Sequence, residues 1–317
     1  MTDLVLRAVF ESRGYTTPVA NGTIKIPGVK LDFVKVPAIN KAMKAVADLE
    51  YDVGEITLVD YILARRFGRP LAGLPIFVNR NFMHDRIMYH TRSGIRAPKD
   101  LEGKRIGLKR YTQTAPVWNR GILAMEYGID LDRVTWVATE TRANVSEYRD
   151  PPNVVPAPPG KSLAELLESG EIDAADDPGR PWTDRKETWN YDKNVIKSLI
   201  PNGQEAAADW YRRTGIYPIM HVLVVKRDSI AARPSLMREL FDAFVAAKKQ
   251  FMENLTDPAE FRIRGRSIVG RDFLPYGVEV NRSVIDLMCE FAYRQKITPN
   301  RYRVEDLFDP DTIALKE

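Results

Sequence analysis

The chain carries one cysteine, Cys289, and three histidines, His84, His90 and His221, among 317 residues. A single thiol excludes an intrachain disulfide and any cysteine-rich metal centre. Cys289 sits in VIDLMCEFAY, whose apolar spacing predicts a buried helix face, so it reads as a small hydrophobe. No run of 18 apolar residues is present, which excludes a helical membrane span. The opening MTDLVLRAVF lacks the basic and apolar regions of a secretory signal and enters a strand directly, so a cytoplasmic setting is expected. Also missing are GxGxxG, GxxxxGK(S/T), HExxH and GxSxG. Dinucleotide, P-loop, zincin and α/β-hydrolase chemistry therefore lack support. There is no block of five or six like charges. The net charge is +4, from 47 Lys and Arg against 43 Asp and Glu. With basic residues dispersed, no nucleic-acid partner is expected, whereas a small anionic ligand suits the balance.

What is present is a strand–helix alternation over a length that exceeds one hydrophobic core. Residues 4–10, 29–36 and 52–56 read as strands, and 75–89 is strand-rich. Ile39, Met43, Val46 and Leu49 recur at helical spacing. Thr57 to Asp60 matches a helix-opening capping box, as does Ser162 to Glu165. The second part repeats the pattern. Residues 104–108, 133–138, 172–175 and 220–226 read as strands. Ala115, Trp118, Ile122 and Met125 mark one face of a helix that Gly128 ends. PPNVVPAPPG, at 151–160, holds too many prolines for a helix or inner strand and reads as a surface connection. Residues 234–255 form a long amphipathic helix, and Asn281 is placed to cap another. The reading is α/β with two lobes: 1–92 plus 222–317 as a discontinuous first lobe, and 93–221 as the second. Ligands of such sheets lie beyond the carboxyl ends of strands. The loops so placed are 11–21, 55–57, 109–114 and 176–182.

Candidate site residues follow from chemistry-bearing side chains in these places. Residues 74–94, LPIFVNRNFMHDRIMYHTRSG, hold His84 and His90 beside Arg80, Arg86 and Arg92. This stretch reads as the strand that lines the cleft and leads into the second lobe. His90 lies beyond the cleft and reads as structural. His221 opens the strand that returns to lobe one, opposite Arg80 and His84. In YTQT, Thr112 or Thr114 is most simply an N-cap. The same helix start can hold an anion, helped by Gln113 and Arg120. Trp118 is either core or a stacking surface for an aromatic ligand. No metal site is read from spacing. A divalent metal held by histidine with Glu55 or Asp176 stays open, because it would need assembly in space.

The ordered set RNFMH (80–84), SGIRAPKDLEGKRIGL (93–108), YTQTAPVWNRGILAMEYGI (111–129), LAELLESGEIDA (163–174), YRRTGIYPIMH (211–221) and PYGVEVNR (275–282) resembles the 4,5-dihydroxyphthalate decarboxylase family. One departure is EIDAADDPGRP (171–181), where a more apolar segment is expected. The resemblance implies a type II periplasmic-binding-protein-like fold with the ligand cleft between lobes. It also implies a cytoplasmic carboxy-lyase that turns a hydroxylated aromatic dicarboxylate into protocatechuate and CO2. The ring can act as its own electron sink, so no organic cofactor is expected. The protein must supply a base, an acid and cations for the carboxylates. On this reading His84 and His221 are acid and base, and Glu55 orients an imidazole or accepts a catechol proton. Arg80 and Arg120 bind carboxylate, while Thr57, Gln113 and Thr114 hold oxygen atoms and Trp118 lines the pocket. The partner is a small aromatic carboxylate, with homo-oligomer formation left open. The alternative is a non-catalytic binding protein or sensor for an aromatic carboxylate.

Overall fold

A computed structural model describes residues 3–179, 189–254, 265–270 and 272–317. The strands in chain order are β1 (Leu4–Val9), β2 (Val29–Phe33), β3 (Val53–Thr57), β4 (Leu71–Arg80), β5 (Ile87–His90), β6 (Arg105–Leu108), β7 (Thr135–Ala138), β8 (Val154–Pro156), β9 (Ala174–Asp176), β10 (Ile196–Ser198) and β11 (Ile219–Lys226). They form two sheets. The first has the order β2-β1-β3-β11-β4 and the second β10-β5-β9-β6-β7-β8. The pairs β1–β2 and β1–β3 are parallel, and β11 runs antiparallel to both β3 and β4. In the second sheet β6, β7, β8 and β9 are parallel, and β5 runs antiparallel to both of its neighbours, β9 and β10. This is the two-lobe α/β architecture expected.

The long β4 is buried almost throughout because both of its faces are covered. Ala72, Leu74, Ile76 and Val78 pack with Leu240, Phe241 and Phe244 of the helix Leu236–Glu253. Leu71 and Phe77 face the other way, into the cluster that contains Tyr61 and Phe308. Alternation along the strand thus feeds two separate cores.

The sequence boundary between lobes needs moving. The chain leaves the first sheet at Arg80 and enters the second at Ile87, so β5 belongs to lobe two rather than to 1–92. The linking residues, 81–86 (NFMHDR), turn polar but contain neither glycine nor proline. The two strongest chain punctuators are therefore missing from the crossing. The return falls at β11, which starts at Ile219.

Two expected caps also differ. Gln113, not Thr112 or Thr114, occupies the N-cap of the helix Thr114–Tyr127. Asn281 precedes the helix Arg282–Arg294 without a side-chain cap bond. Its amide instead donates to the carbonyls of Pro275 (2.9 Å) and Gly277 (2.7 Å). Thr57 and Ser162 cap as expected, each accepting the backbone N–H three residues on.

The lobes share one apolar core. Ile56 and Leu58 of lobe one lie in the same cluster as Ile106, Leu108, Trp118 and Trp136 of lobe two. Buried polar bonds cross the same boundary. Trp118 Nε1 donates to the Ile219 carbonyl (2.9 Å) and Gln295 Nε2 to that of Val117 (2.9 Å). Gly121 lets helix Arg282–Arg294 approach closely, since a Cβ there would lie 2.1 Å from the Phe291 ring.

Candidate active site

β3 is central in its sheet, and all five of its residues are buried, including Glu55 at 0 % exposure. A lone carboxylate there would be costly, so its bonds must be accounted for. Four donors converge on it. The backbone N–H of Glu11 donates to Oε2 (2.8 Å), and Arg13 reaches Oε2 through Nη1 and Oε1 through Nη2, both at 3.1 Å. His221 Nδ1 lies 2.6 Å from Oε1. Burial alone would raise the Glu55 pKa, but the Arg13 charge and the His221 contact outweigh it and bring it down to about 2. Glu55 is therefore an acceptor only, and the His221 ring presents its Nδ1 proton to it.

Register explains why these side chains meet. Thr57 pairs directly with His221 and Glu55 with Leu223, so Glu55, Thr57 and His221 project from one face of the β3–β11 ladder. The His221 side chain is 16 % exposed, which leaves its Nε2 edge to the open side. Thr57 opens the helix Leu58–Arg66. Its hydroxyl accepts from the Asp60 N–H (3.1 Å) and donates to Asp60 Oδ2 (2.8 Å). Burial raises the Asp60 pKa. Asn144 of lobe two donates to the same oxygen (2.8 Å) and accepts from Arg110 Nη1 (2.6 Å).

The second lobe carries a cleft of about 820 Å³ beyond the carboxyl ends of β6 and β9, lined by Lys109, Gln113, Ser162, Asp176 and Trp189 among others, with none of Glu55, Thr57 and His221 in its lining. Gln113 and Ser162 are the N-caps of the helices Thr114–Tyr127 and Leu163–Ser169. Thr114 Oγ1 accepts from the Val59 N–H (3.0 Å), so the starts of the two lobes' helices abut. Asp176 is held by Arg86 Nε (2.7 Å) and Asn119 (3.2 Å). Of the 176–182 loop, residues 180–182 lie outside those described.

The structure thus gathers Glu55, His221 and Thr57, with Thr114 and Gln113 at the adjoining helix start. The other expected residues are engaged elsewhere. Arg80 donates to the carbonyls of Tyr217 (3.1 Å) and Pro275 (3.4 Å) and to Asn281 Oδ1, and burial lowers its pKa to about 10. Arg120 is 1 % exposed, donates to Gln295 Oε1 (2.8 Å) and the Tyr111 carbonyl (2.6 Å), and stacks 3.9 Å from the Tyr111 ring. Trp118 is wholly buried against Phe291. His84 packs between Phe82 and Trp210 with both ring nitrogens buried and without a hydrogen-bond partner among the described residues. Burial lowers its pKa to about 4. None of the bonds made by these four reaches Glu55 or His221. His90 accepts the Arg92 N–H (3.0 Å) as the cap of a short turn. Among the described residues no group of three or more His, Cys, Asp or Glu is placed to hold a metal ion.

Arg13 was not singled out from the sequence, although its loop was. The available signal was Glu55 itself: an acidic residue inside a buried strand calls for a cation, and ESR (11–13) lies just past the carboxyl end of β1, after Phe10.

The chain is 30 % identical over 313 residues to the 4,5-dihydroxyphthalate decarboxylase of Comamonas testosteroni, covering 93 % of each chain. It belongs to the 4,5-dihydroxyphthalate decarboxylase family. Within that family it is also 32 % identical over 202 residues to the enzyme of the same name from Pseudomonas putida, covering 62 % of this chain and 76 % of that one. Residues 22–148 of this decarboxylase-family chain match the family described as NMT1/THI5 like. Among solved structures it resembles the alkanesulfonate-binding protein SsuA from Xanthomonas axonopodis pv. citri, with a TM-score of 0.56, 14 % identity, and coverage of 97 % of this chain and 99 % of that one. That likeness shows the fold: this chain is built on a two-lobe, periplasmic-binding-protein-like frame.

Proposed function

We propose that the chain is a carboxy-lyase that converts 4,5-dihydroxyphthalate to protocatechuate and CO2. The observation that carries the chemistry is the His221–Glu55 pair, supported by the family the chain belongs to. Glu55 stays ionised, so His221 carries its proton on Nδ1 and offers a lone pair at Nε2. That lone pair takes the proton of the hydroxyl para to the departing carboxylate. The phenolate pushes electron density into the ring, and the carbon bearing the carboxylate gains a solvent-derived proton. The carbon–carboxylate bond then breaks, its electrons return to the ring, and CO2 leaves as aromaticity is restored. The net change is one carboxylate exchanged for one proton, with no redox step. A positioned base of this kind contributes roughly 10²–10⁴-fold.

The retained carboxylate is assigned to lobe two. Gln113, the start of the helix Thr114–Tyr127 and Lys109 line the cleft there. Unpaired backbone N–H groups at a helix start suit an anion. Thr57 holds a substrate oxygen beside His221. Arg80 and Arg120 support the walls rather than the ligand in this reading, because two of the three nitrogens of Arg120 and both terminal nitrogens of Arg80 are bonded elsewhere, leaving only Arg80 Nε and Arg120 Nη1 without a partner among the described residues.

The test is incubation of purified protein with 4,5-dihydroxyphthalate while following CO2 and protocatechuate, with and without EDTA. Turnover that survives the chelator is expected. In D2O the product should carry one deuterium at the vacated ring carbon. Tight binding of the diacid without turnover would instead establish a binding protein. Loss of activity with EDTA, restored by one metal, would overturn the metal-free route.

A further inference from the structure

Glu55 is useful to His221 only while it is ionised. With one proton taken up from solvent, a neutral carboxylic acid at that position could donate to Nδ1 while the ring carries its proton on Nε2, turning the base edge into a donor. We propose that Arg13 is the positioning residue of this site: its two-pronged grip on Glu55 decides which nitrogen of His221 carries the proton. This role rests on the decarboxylation proposed above.

The geometry is that of a prepared clamp. Arg13 meets both carboxylate oxygens at 3.1 Å, the fork that a guanidinium makes and an ammonium cannot. Its own backbone is held by a tight turn. The Arg13 N–H donates to Thr16 Oγ1 (2.8 Å), Thr16 Oγ1 donates to the Glu11 carbonyl (2.7 Å), and Thr17 Oγ1 donates to the Arg13 carbonyl (2.7 Å). Tyr15 ties the loop to β4 by donating to the Val78 carbonyl (2.8 Å). The charged and titratable groups that face the pair are Arg13, Glu11 and Tyr15 from this loop, His221 itself from β11, and the buried Asp60 of the helix Leu58–Arg66, which interacts with His221. Glu11 sits on the solvent side of Arg13 and pairs with it, which leaves Arg13 shared between an outer and an inner carboxylate. Removing the guanidinium leaves a buried carboxyl whose desolvation is opposed only by the Glu11 N–H and His221. Bonds that orient a functional histidine through its far nitrogen act in this way elsewhere, without touching the reacting atoms.

The experiment compares wild type, Arg13→Met and Arg13→Lys. Nitrogen-15 NMR of the histidine rings, without substrate, reads the His221 tautomer; its signals are assigned by their loss in His221→Gln. Wild type should show Nδ1–H at neutral pH and Arg13→Met mainly Nε2–H. In kcat/KM for decarboxylation, the acid limb of Arg13→Met should move up by about one pH unit or more, roughly tenfold in proton affinity. Most of the effect should fall in kcat, and Arg13→Lys should recover part of both readouts. A wild-type ring protonated at Nε2, or an Arg13→Met protein with wild-type tautomer and acid limb, overturns the assignment. If Arg13→Met does not fold, Arg13→Lys decides: a limb and tautomer identical to wild type would show that the fork is not needed. If the wild type fails to decarboxylate, the reaction falls, while the tautomer measurement still judges the clamp.

Discussion

His221 carries the most direct prediction. His221→Gln keeps a polar side chain but no titratable base, and kcat should fall roughly 10²-fold or more. Unchanged turnover would remove the ring from the chemistry. His84 should behave oppositely. Its ring is 4 % exposed between two aromatic rings, with a pKa lowered by burial from 6.5 to about 4. The unfolded chain therefore takes up this proton first as the solution is acidified. Stability from His84 is complete above pH 6.5 and is lost as pH falls toward about 4, by roughly 3 kcal/mol. His84→Leu should flatten the fall of Tm between pH 6.5 and 4 and keep turnover within a few-fold of wild type. A variant Tm that falls as steeply as wild type, or a lost turnover, would contradict this. The two histidines look alike in sequence, each near an arginine and an aromatic residue. What separates them is the strand register that gives one a carboxylate and the other two hydrocarbon faces, and no residue type encodes that register. The same holds for Arg80 and Arg120, whose partners include Asn281 and Gln295, far along the chain.

Thr57 links the end of β3 to the helix that follows. Thr57→Ala removes both the cap and the hydroxyl bonded to Asp60, and should cost about 1 kcal/mol in denaturant midpoint analysis. Thr57→Ser should restore most of it. The capping pattern at Thr57 and Ser162 was readable because it involves neighbours three residues apart. The cap of the helix Thr114–Tyr127 was not, since Thr114 turns its hydroxyl to Val59 of the other lobe. A tertiary partner there outcompetes a local one. The strand–helix alternation was legible for the same local reason: periodicity belongs to one element at a time. The passage from β4 to β5 was not, because an apolar strand in one sheet and an apolar strand in the next share a residue pattern.

At the level of the whole molecule, the lobes meet through a continuous apolar core and buried polar bonds rather than through a hinge alone. Substrate binding should therefore leave the small-angle scattering radius essentially unchanged, whereas a wide domain closure on adding the diacid would contradict this. Gly121→Ala tests the contact directly. Its Cβ would lie 2.1 Å from the Phe291 ring, forcing the two helices apart at a cost of about 1–3 kcal/mol, read as a lowered Tm. The order of strands also bears on how the chain is made. β11 lies between β3 and β4, yet residues 81–218 are synthesised before it. A nascent chain emerging from the ribosome thus holds β3 and β4 with an unfilled slot between them until the second lobe has emerged. Two open strand edges wait in that interval, and they are a hazard for misassembly in any nascent sheet. Stalled chains ending shortly before Ile219 should bind chaperones and resist native folding of the first sheet, while chains extended past Lys226 should close it.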